Sequence, residues 1–379
     1  MYISRGIERK LAQAKKSILL LGPRQTGKST LIRSLRPNLE INLADEETYV
    51  EFLRNPGLLK SMVRRYKSIF IDEIQRIPSL LNTVQAILDR DNAPKFFLTG
   101  SSARKLKRGR ANLLPGRIFT YTLGPLSCFE LGAKLDIDQV MRKGLLPGVY
   151  VEPDPDTWTK LLRSYALTYL KEEIQAEALT RNLEGFSRFF DLICSRSGDF
   201  IDFTKFASLA SIDRMSAKRY FDVLVDTLVI FPVEAFIKSN RMRLIQHPRF
   251  YLFDVGVLNG ALRNFEPSAD RIGALFKHLV LQLLFSGAKM RDEEIRVSVY
   301  RTEAGAEVDF ILEREKEIFA IEVKATKRIA AHDLRGLKSF SAFYGRKHTP
   351  IIVYMGEREL SMEGVEILPL AKAMTKIGF

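Results

Sequence analysis

The chain has 379 residues, 46% of them apolar and 27% charged, with 15 prolines. This excludes a disordered or fibrous chain, and the length calls for two or three domains rather than one core. The formal net charge of +14 favours a polyanionic partner such as nucleic acid.

The cysteines, Cys128 and Cys194, lie far apart without CxxC spacing, and there are four histidines. That argues against zinc or a disulfide framework and fits a reducing cytoplasm, the expected location. No run of 18 apolar residues occurs, so no membrane span is expected. The basic N-terminus leads into the short run "ILLL" and a glycine loop, which reads as a strand rather than a signal peptide.

In chain order, the first element with chemistry is "SILLLGPRQTGKST", residues 17–30. An apolar strand is followed by the loop Gly22, Pro23, Arg24, Gln25, Thr26, Gly27, Lys28, Ser29, and then by a helix beginning near Thr30. This is G-x-x-x-x-G-K-[ST] between a strand and a helix, the context such a loop needs. Gly22 and Gly27 let backbone N–H groups wrap a phosphate, Lys28 reaches β- and γ-phosphates, and the Ser29 hydroxyl can ligate Mg²⁺. ATP and Mg²⁺ are therefore the expected cofactors.

A second strand, "SIFIDEIQ", residues 68–75, ends in Asp72, placed to hold the magnesium, and Glu73, placed to polarise water. A third, "KFFLTGSS", residues 95–102, offers Thr99 or Ser101 to the attacking water or the γ-phosphate. Five of the seven residues from Arg104 to Arg110 are basic, a solvated loop or a nucleic-acid contact. Arg117, before the strand "IFTYTL", could reach a phosphate in its own or a neighbouring subunit.

The order "LLLGPRQTGKST", "IFIDEIQRIP", "FFLTGSS", "LPGRIFTYTLGPLSCFELG" resembles the AAA-superfamily ATPases of bacteria and archaea that carry a C-terminal domain of long-unassigned function. The resemblance covers about residues 1–133 strongly and the rest more loosely. It implies Walker A, Walker B, sensor and arginine-bearing segments, and ATP binding and hydrolysis by a domain that forms homo-oligomers.

From Pro153 the pattern turns helical, with Leu161, Tyr165, Thr168 and Tyr169 recurring at helical spacing. A short helix, a break at Ser211 to Asp213, and a helix with apolar Tyr220, Val223, Leu224 and Leu228 give helix-turn-helix spacing before a strand. This is a winged-helix candidate with Arg214, Lys218 and Arg219 outward, or an ordinary helical lid.

Beyond residue 270 the order is helix, three strands, helix, strand, which resembles the restriction-endonuclease-like core. Asp309 and the sequence Glu322-x-Lys324 stand where its PD-(D/E)xK signature would stand, although Thr302 to Ala306 lack the Pro-Asp form. A four-residue "EREK" loop would pair Leu312 with Glu317, Asp309 with Ala320 and Glu307 with Glu322. Glu307, Asp309, Glu322 and Lys324 would then share one face. Asp309 and Glu322 could hold Mg²⁺ there while Lys324 stabilises developing charge. A solvated charged edge would show the same alternation. Relatives of this type often carry Glu in the preceding helix where this chain has Lys277, which cannot bind metal.

The expected protein is α/β: an AAA-type P-loop ATPase domain at 1–133, a helical and winged-helix region at 134–240, and a restriction-endonuclease-like domain at 241–379. Its expected activity is ATP hydrolysis directed at or regulated by DNA, with a nuclease-like tail that hydrolyses or binds DNA. The alternatives are a regulatory ATPase whose tail is a catalytically silent binding module, and a chaperone-like protein acting on polypeptide.

Overall fold

The computed structural model describes residues 3–101, 116–132, 135–170, 182–236 and 248–379. The basic cluster Arg104 to Arg110 and the two expected domain boundaries lie outside these residues. The chain divides into two compact units, one formed by residues 1–124, 226–228 and 289–292, the other by the remainder.

The first unit is built on five parallel strands, β1 (Ser17–Leu21), β2 (Leu39–Asn42), β3 (Ser68–Asp72), β4 (Lys95–Gly100) and β5 (Ile118–Thr122), in the order β2-β3-β4-β1-β5. Successive side chains of a strand point to opposite faces, so a sheet covered on both sides needs continuous apolar runs. β1 meets this demand, being buried along its length. Ile18 and Leu20 pack with α1 (Glu8–Gln13) and α2 (Lys28–Ser34) through Leu11, Leu31 and Ile32. Leu19 and Leu21 pack on the other face with Phe52, Leu59 and Val84 from α3 (Glu46–Arg54), α4 (Leu58–Met62) and α5 (Leu80–Leu88). Because β4 lies between β1 and β3, the loops after all three strands open on one edge of the sheet.

The second unit opens with helices α6 (Cys128–Leu131), α7 (Ile137–Lys143), α8 (Pro147–Tyr150), α9 (Pro155–Ser164), α10 (Leu183–Ser195), α11 (Phe203–Ala210) and α12 (Arg214–Asp226). The expected break between α11 and α12 is present, with Ser211 in the left-handed region and the Asp213 side chain accepting from the Ser216 N–H. α12 ends earlier than the periodicity suggests. Leu228 has φ 62° and belongs to the turn, not to the apolar face of the helix.

An eight-stranded sheet follows, with β6 (Ile230–Ala235), β7 (Arg249–Leu252), β8 (Ile295–Arg301), β9 (Glu307–Arg314), β10 (Glu317–Lys324), β11 (Thr349–Tyr354), β12 (Leu360–Met362) and β13 (Val365–Pro369). Helices α13 (Val255–Leu262), α14 (Ile272–Arg291), α15 (Arg335–Tyr344) and α16 (Leu370–Ile377) complete the unit. From α14 the order helix, three strands, helix, strand is as the sequence pattern suggested. The antiparallel pair β6 and β7 spans residue 240, so this sheet crosses the expected boundary there.

Two features of the register differ from the expected one. Phe319, not Glu317, lies opposite Leu312, because β9 and β10 run on to pair Arg314 with Glu317 and leave a two-residue turn. Glu315 makes that turn at φ 51°. Ala320 therefore faces Ile311, and continuing the register sets Glu322 against Asp309. Glu307 pairs with Arg301 on β8 instead of with Glu322.

The second difference is a bulge. Ser298 pairs with Ile311 and Tyr300 with Val308, so two steps on β8 oppose three on β9, and Asp309 and Phe310 share the extra place. Val308 and Ile311 thereby join one core with Leu334, Leu337 and Phe340 beneath α15. Strict alternation therefore breaks between Val308 and Ile311, yet the expected common face survives it: Glu307 and Asp309 both lie against Arg249, and Glu322 and Lys324 touch each other beside them.

α13 is fixed by Asp254, a fully buried N-cap that accepts from Val257 N–H (3.0 Å), Leu145 N–H (2.8 Å) and Gln282 Nε2 (2.7 Å). Gly144 makes this possible. At φ 71° an added Cβ would lie 2.2 Å from Asp254 Oδ1 and 2.6 Å from Gly256 N. Gly144→Ala should lower stability by about 1–3 kcal/mol, whereas Gly148→Ala, whose Cβ meets nothing within 4 Å, should be neutral. Thermal unfolding of the two variants beside the parent checks this. Equal melting temperatures would show that Asp254 moves aside freely.

Candidate functional site

The glycine loop leaves β1 at Leu21, and its first residue must be small. A Cβ on Gly22 would lie 2.1 Å from the Leu123 carbonyl oxygen. Gly27 caps α2 at φ 90°, a left-handed conformation that suits glycine. Thr26 is fully buried and donates to Pro23 O (2.9 Å), so its hydroxyl staples the loop rather than facing a ligand. Lys28, nearly buried, donates to Gly22 O and Pro23 O at 2.9 Å each. Gln25, at φ 60°, and Thr30 are exposed.

The three strand ends meet at Asp72. Ser29 Oγ donates to Asp72 Oδ1 at 2.9 Å, and Thr99 Oγ1 donates to the same oxygen. Thr99 also accepts from the Glu73 N–H (3.3 Å). Glu73 sits in the left-handed region at φ 58°, strained for a side-chain-bearing residue. Its carboxylate accepts from Gln75 Nε2, which also donates to Ser101 Oγ at 3.1 Å. A hydroxyl and a carboxylate held side by side beneath a phosphate loop fit Mg²⁺, which takes one or two protein oxygens and completes its shell with phosphate and water. Ser29, Asp72, Glu73, Thr99, Ser101 and Lys28 are thus brought together as the motif spacing suggests.

Sequence reading missed two supports of this site. Arg5, 5% exposed, donates to Thr26 O (2.6 Å) and Gly124 O (2.9 Å) and so holds the loop from behind. Gln75 carries no signal beyond standing two residues after Glu73.

Arg117 is not part of the site in its own chain. β5 runs parallel to β1, with Ile118 beside Ser17 and Thr122 beside Leu21. The phosphate loop leaves the Leu21 end and Arg117 stands at the Ser17 end, about 15 Å away at 3.3 Å per residue. There its guanidinium pairs with Asp89.

The carboxylates of the C-terminal sheet also come together, but onto nitrogen. Asp309 accepts from the Val323 N–H (2.9 Å), pairs with Lys277 and lies 3.9 Å from Arg249 Nη1. Glu307 takes Arg249 Nη2 at 2.7 Å and Arg301 Nε at 3.5 Å. Lys324 contacts Glu322 at 3.0 Å and Asp333 at 3.4 Å. Burial, with the Asp309 charge beside it, pushes the Glu322 carboxyl up to about 8, against the pull of Lys324 and Lys277.

A lysine and a backbone N–H occupy the oxygens of Asp309 that a metal would need. The expected Mg²⁺ site at Asp309 and Glu322 does not fit this arrangement. Among the described residues no group of three or more His, Cys, Asp or Glu is placed to hold a metal ion. Arg249 and Tyr251 are functional candidates that sequence reading missed. Among the described residues β6 joins β8 through Glu234 and Ala235, and β7, paired with β6, brings both residues against β9, where Arg249 meets Glu307 and Tyr251 meets Phe310. Alternation in "RFYL" could have flagged the pair, but nothing local says which strand it would meet.

Residues 14–132 match the family model described as AAA domain. The first unit therefore carries an AAA-type, nucleotide-binding ATPase domain. Residues 134–268 and 272–373 match two models, each described as a domain of unknown function. Uncharacterized proteins of Mycobacterium bovis and Mycobacterium tuberculosis are each 25% identical over 316 residues, covering 82% of this chain and 70% of theirs.

Among solved structures, a signal transduction ATPase with numerous domains and a tetratricopeptide repeat sensor from Pyrococcus horikoshii aligns at 15% identity and TM-score 0.27. That alignment covers 75% of this chain and 45% of the other. AMPPCP-bound DnaA from Aquifex aeolicus aligns at 10% identity and TM-score 0.26, over 58% of this chain and 84% of its own. The assignment of the first unit rests on the family model and on the side chains around Asp72. Among the described residues no helix is long and apolar enough to cross a membrane.

The raised Glu322 carboxyl has a stability consequence. Between the ordinary carboxyl range and pH 8 the folded chain binds a proton that the unfolded chain has lost, so stability falls as pH rises through that window. Glu322→Gln keeps the shape without the charge. It should match the parent near pH 4.5 and melt higher than the parent at pH 8. Thermal melts across that range check the sign, and a parent at least as stable as the variant at pH 8 would show that Glu322 is ionised without penalty.

Proposed function

We propose that this protein is a Mg²⁺-dependent ATPase acting on or regulated by nucleic acid, with a C-terminal module that binds rather than cuts. The observation that carries the ATPase part is the convergence of Ser29 and Thr99 on one oxygen of Asp72. Ser29 and Asp72 would hold the magnesium ion, which supplies charge neutralisation on the β- and γ-phosphate oxygens.

Lys28 would leave the carbonyls of Gly22 and Pro23 to meet those phosphates as a cation. Glu73 would take the proton of the attacking water, while Gln75 donates to its carboxylate and to Ser101 and so would hold it in place. Arg117 has no reach to the phosphates of its own chain, so a role in catalysis would be played at the site of a neighbouring copy in an oligomer.

For the C-terminal domain the endonuclease-like element order makes a nuclease the obvious reading. The ammonium of Lys277 on Asp309 favours the silent binding module instead. The exposed Arg214, Lys218 and Arg219 on α12 and the net charge of +14 support a nucleic-acid partner.

Lys28→Ala should abolish nucleotide binding or turnover. Glu73→Gln should keep ATP bound while slowing hydrolysis by about 100-fold or more, the usual worth of a general base. Phosphate-release assays with equilibrium nucleotide binding separate the two. A Lys28→Ala protein turning over at the parent rate would sink the ATPase reading.

Mixing tests the reach of Arg117. Arg117→Ala and Glu73→Gln chains, each slow alone, should regain partial turnover together if the guanidinium serves a neighbour's site. Mixtures no faster than the separate proteins would reduce Arg117 to its pairing with Asp89.

A further inference from the structure

The second unit contains a cavity of about 610 Å³, lined among others by Ser197, Arg249, Tyr251, Gly273, Lys277 and Lys324. That size suits a ligand with the bulk of a nucleotide rather than a bare ion. Its polar lining is unfinished. Arg249 is 8% exposed and Tyr251 1%, and the guanidinium lies beside the phenol, yet Arg249 Nε and Nη1 and Tyr251 Oη are buried without a well-formed hydrogen bond among the described residues. Native proteins rarely leave such groups unpaired, and each costs about 1–3 kcal/mol when they do. Their concentration beside one cavity points to a ligand that completes them.

The kind of atom decides the kind of ligand. A guanidinium can only donate. Burial pushes the Tyr251 phenol up, so it stays protonated and able to donate. An ammonium has three N–H bonds, of which Lys277 shows one contact, to Asp309, and Lys324 two, to Glu322 and Asp333. Of the acids nearby, Asp309 accepts from Val323 and pairs with Lys277, Glu307 pairs with Arg249 and Arg301, and Asp199 on the cavity wall lies 3.6 Å from Arg196, while Glu322 Oε2 is buried without a partner among the described residues on a carboxyl pushed up to about 8, which is protonated at neutral pH. Spare donors facing acids that are either paired or protonated select an oxyanion and discriminate against a cation.

We propose that this cavity binds a phosphate group carried by a nucleotide or by the end of a nucleic-acid strand, without a metal ion, through Arg249, Tyr251, Lys277 and Lys324. The proposal rests on the reading of the C-terminal domain as a binding module and gives it a ligand.

The test uses the full chain carrying Lys28→Ala, which removes the ATPase site as a competing phosphate binder, in EDTA throughout. Titration calorimetry compares inorganic phosphate, ADP, a 5′-phosphorylated oligodeoxynucleotide and the same strand without its 5′-phosphate. At least one phosphorylated probe should bind, and the unphosphorylated strand should bind about 10-fold more weakly or not at all. Preference for ADP would identify a free nucleotide as the source, and preference for the phosphorylated strand a nucleic-acid end.

Tyr251→Phe, which deletes only the donor oxygen, should weaken binding about 5-fold with an unchanged melting temperature, and Arg249→Lys should weaken it further. The proposal is overturned if no phosphorylated probe binds, if both strands bind equally, or if Tyr251→Phe binds as the parent does. It also falls if Mn²⁺ added to EDTA-free protein binds, loses its site in Asp309→Ala, and phosphate fails in EDTA. Turnover by the chain with Lys28 intact is read separately, so failure here leaves the ATPase reading standing.

Discussion

A single carboxylate oxygen, Asp72 Oδ1, organises the nucleotide site. It receives the hydroxyl of Ser29 from the start of α2 and that of Thr99 from the end of β4. Three segments separated by up to 70 residues are thereby held at one point, and each carries a different task. The glycine loop would grip phosphate, β3 brings the acid that follows Asp72, and Ser101 follows the end of β4. The strand order makes this possible, because only a strand lying between β1 and β3 can bond to both.

The two acidic clusters of this chain solve the same electrostatic problem differently. Two or more carboxylates in a partly dry place repel one another and need a positive charge. At Asp72 that charge is Arg33, 3.8 Å away and also tied to Glu40, which leaves Asp72 Oδ1 to hydroxyls that a divalent ion can share or displace. At Asp309 it is an ammonium of the chain itself, supported by a backbone N–H and a guanidinium. The first arrangement fits an added ion; the second has built its cation in.

Much of this was legible in the sequence, and the failures have particular causes. The loop after β1, the acids after β3 and the hydroxyls of β4 follow from patterns in which residue type, spacing and flanking elements agree. The order of elements from α14 to β11 was readable from apolar runs because each strand is buried. The hairpin register was not. "EREK" holds no glycine or asparagine, so a wide loop was the natural expectation, whereas Arg314 is drawn into the ladder by Glu293 (2.7 Å) and by the Ile377 carbonyl (2.7 Å). The shift was an even number of residues, which is why Asp309 still meets Glu322. Arg5 and Arg249 were out of reach for another reason: their partners lie 21 or more residues away, and only the fold says that Arg5 meets the carbonyls of Thr26 and Gly124 and Arg249 the carboxylate of Glu307.

The bulge in β9 makes the second site sensitive to a kind of change that substitution tables do not describe. Asp309 faces Lys277 and Arg249 because one extra residue interrupts the alternation between Val308 and Ile311. Deleting a residue there would leave the composition nearly intact and the ladder more regular, yet it would turn the remaining side chains of the strand end over. Glu307 would then be carried toward the apolar layer under α15, and Val308 toward the guanidinium of Arg249.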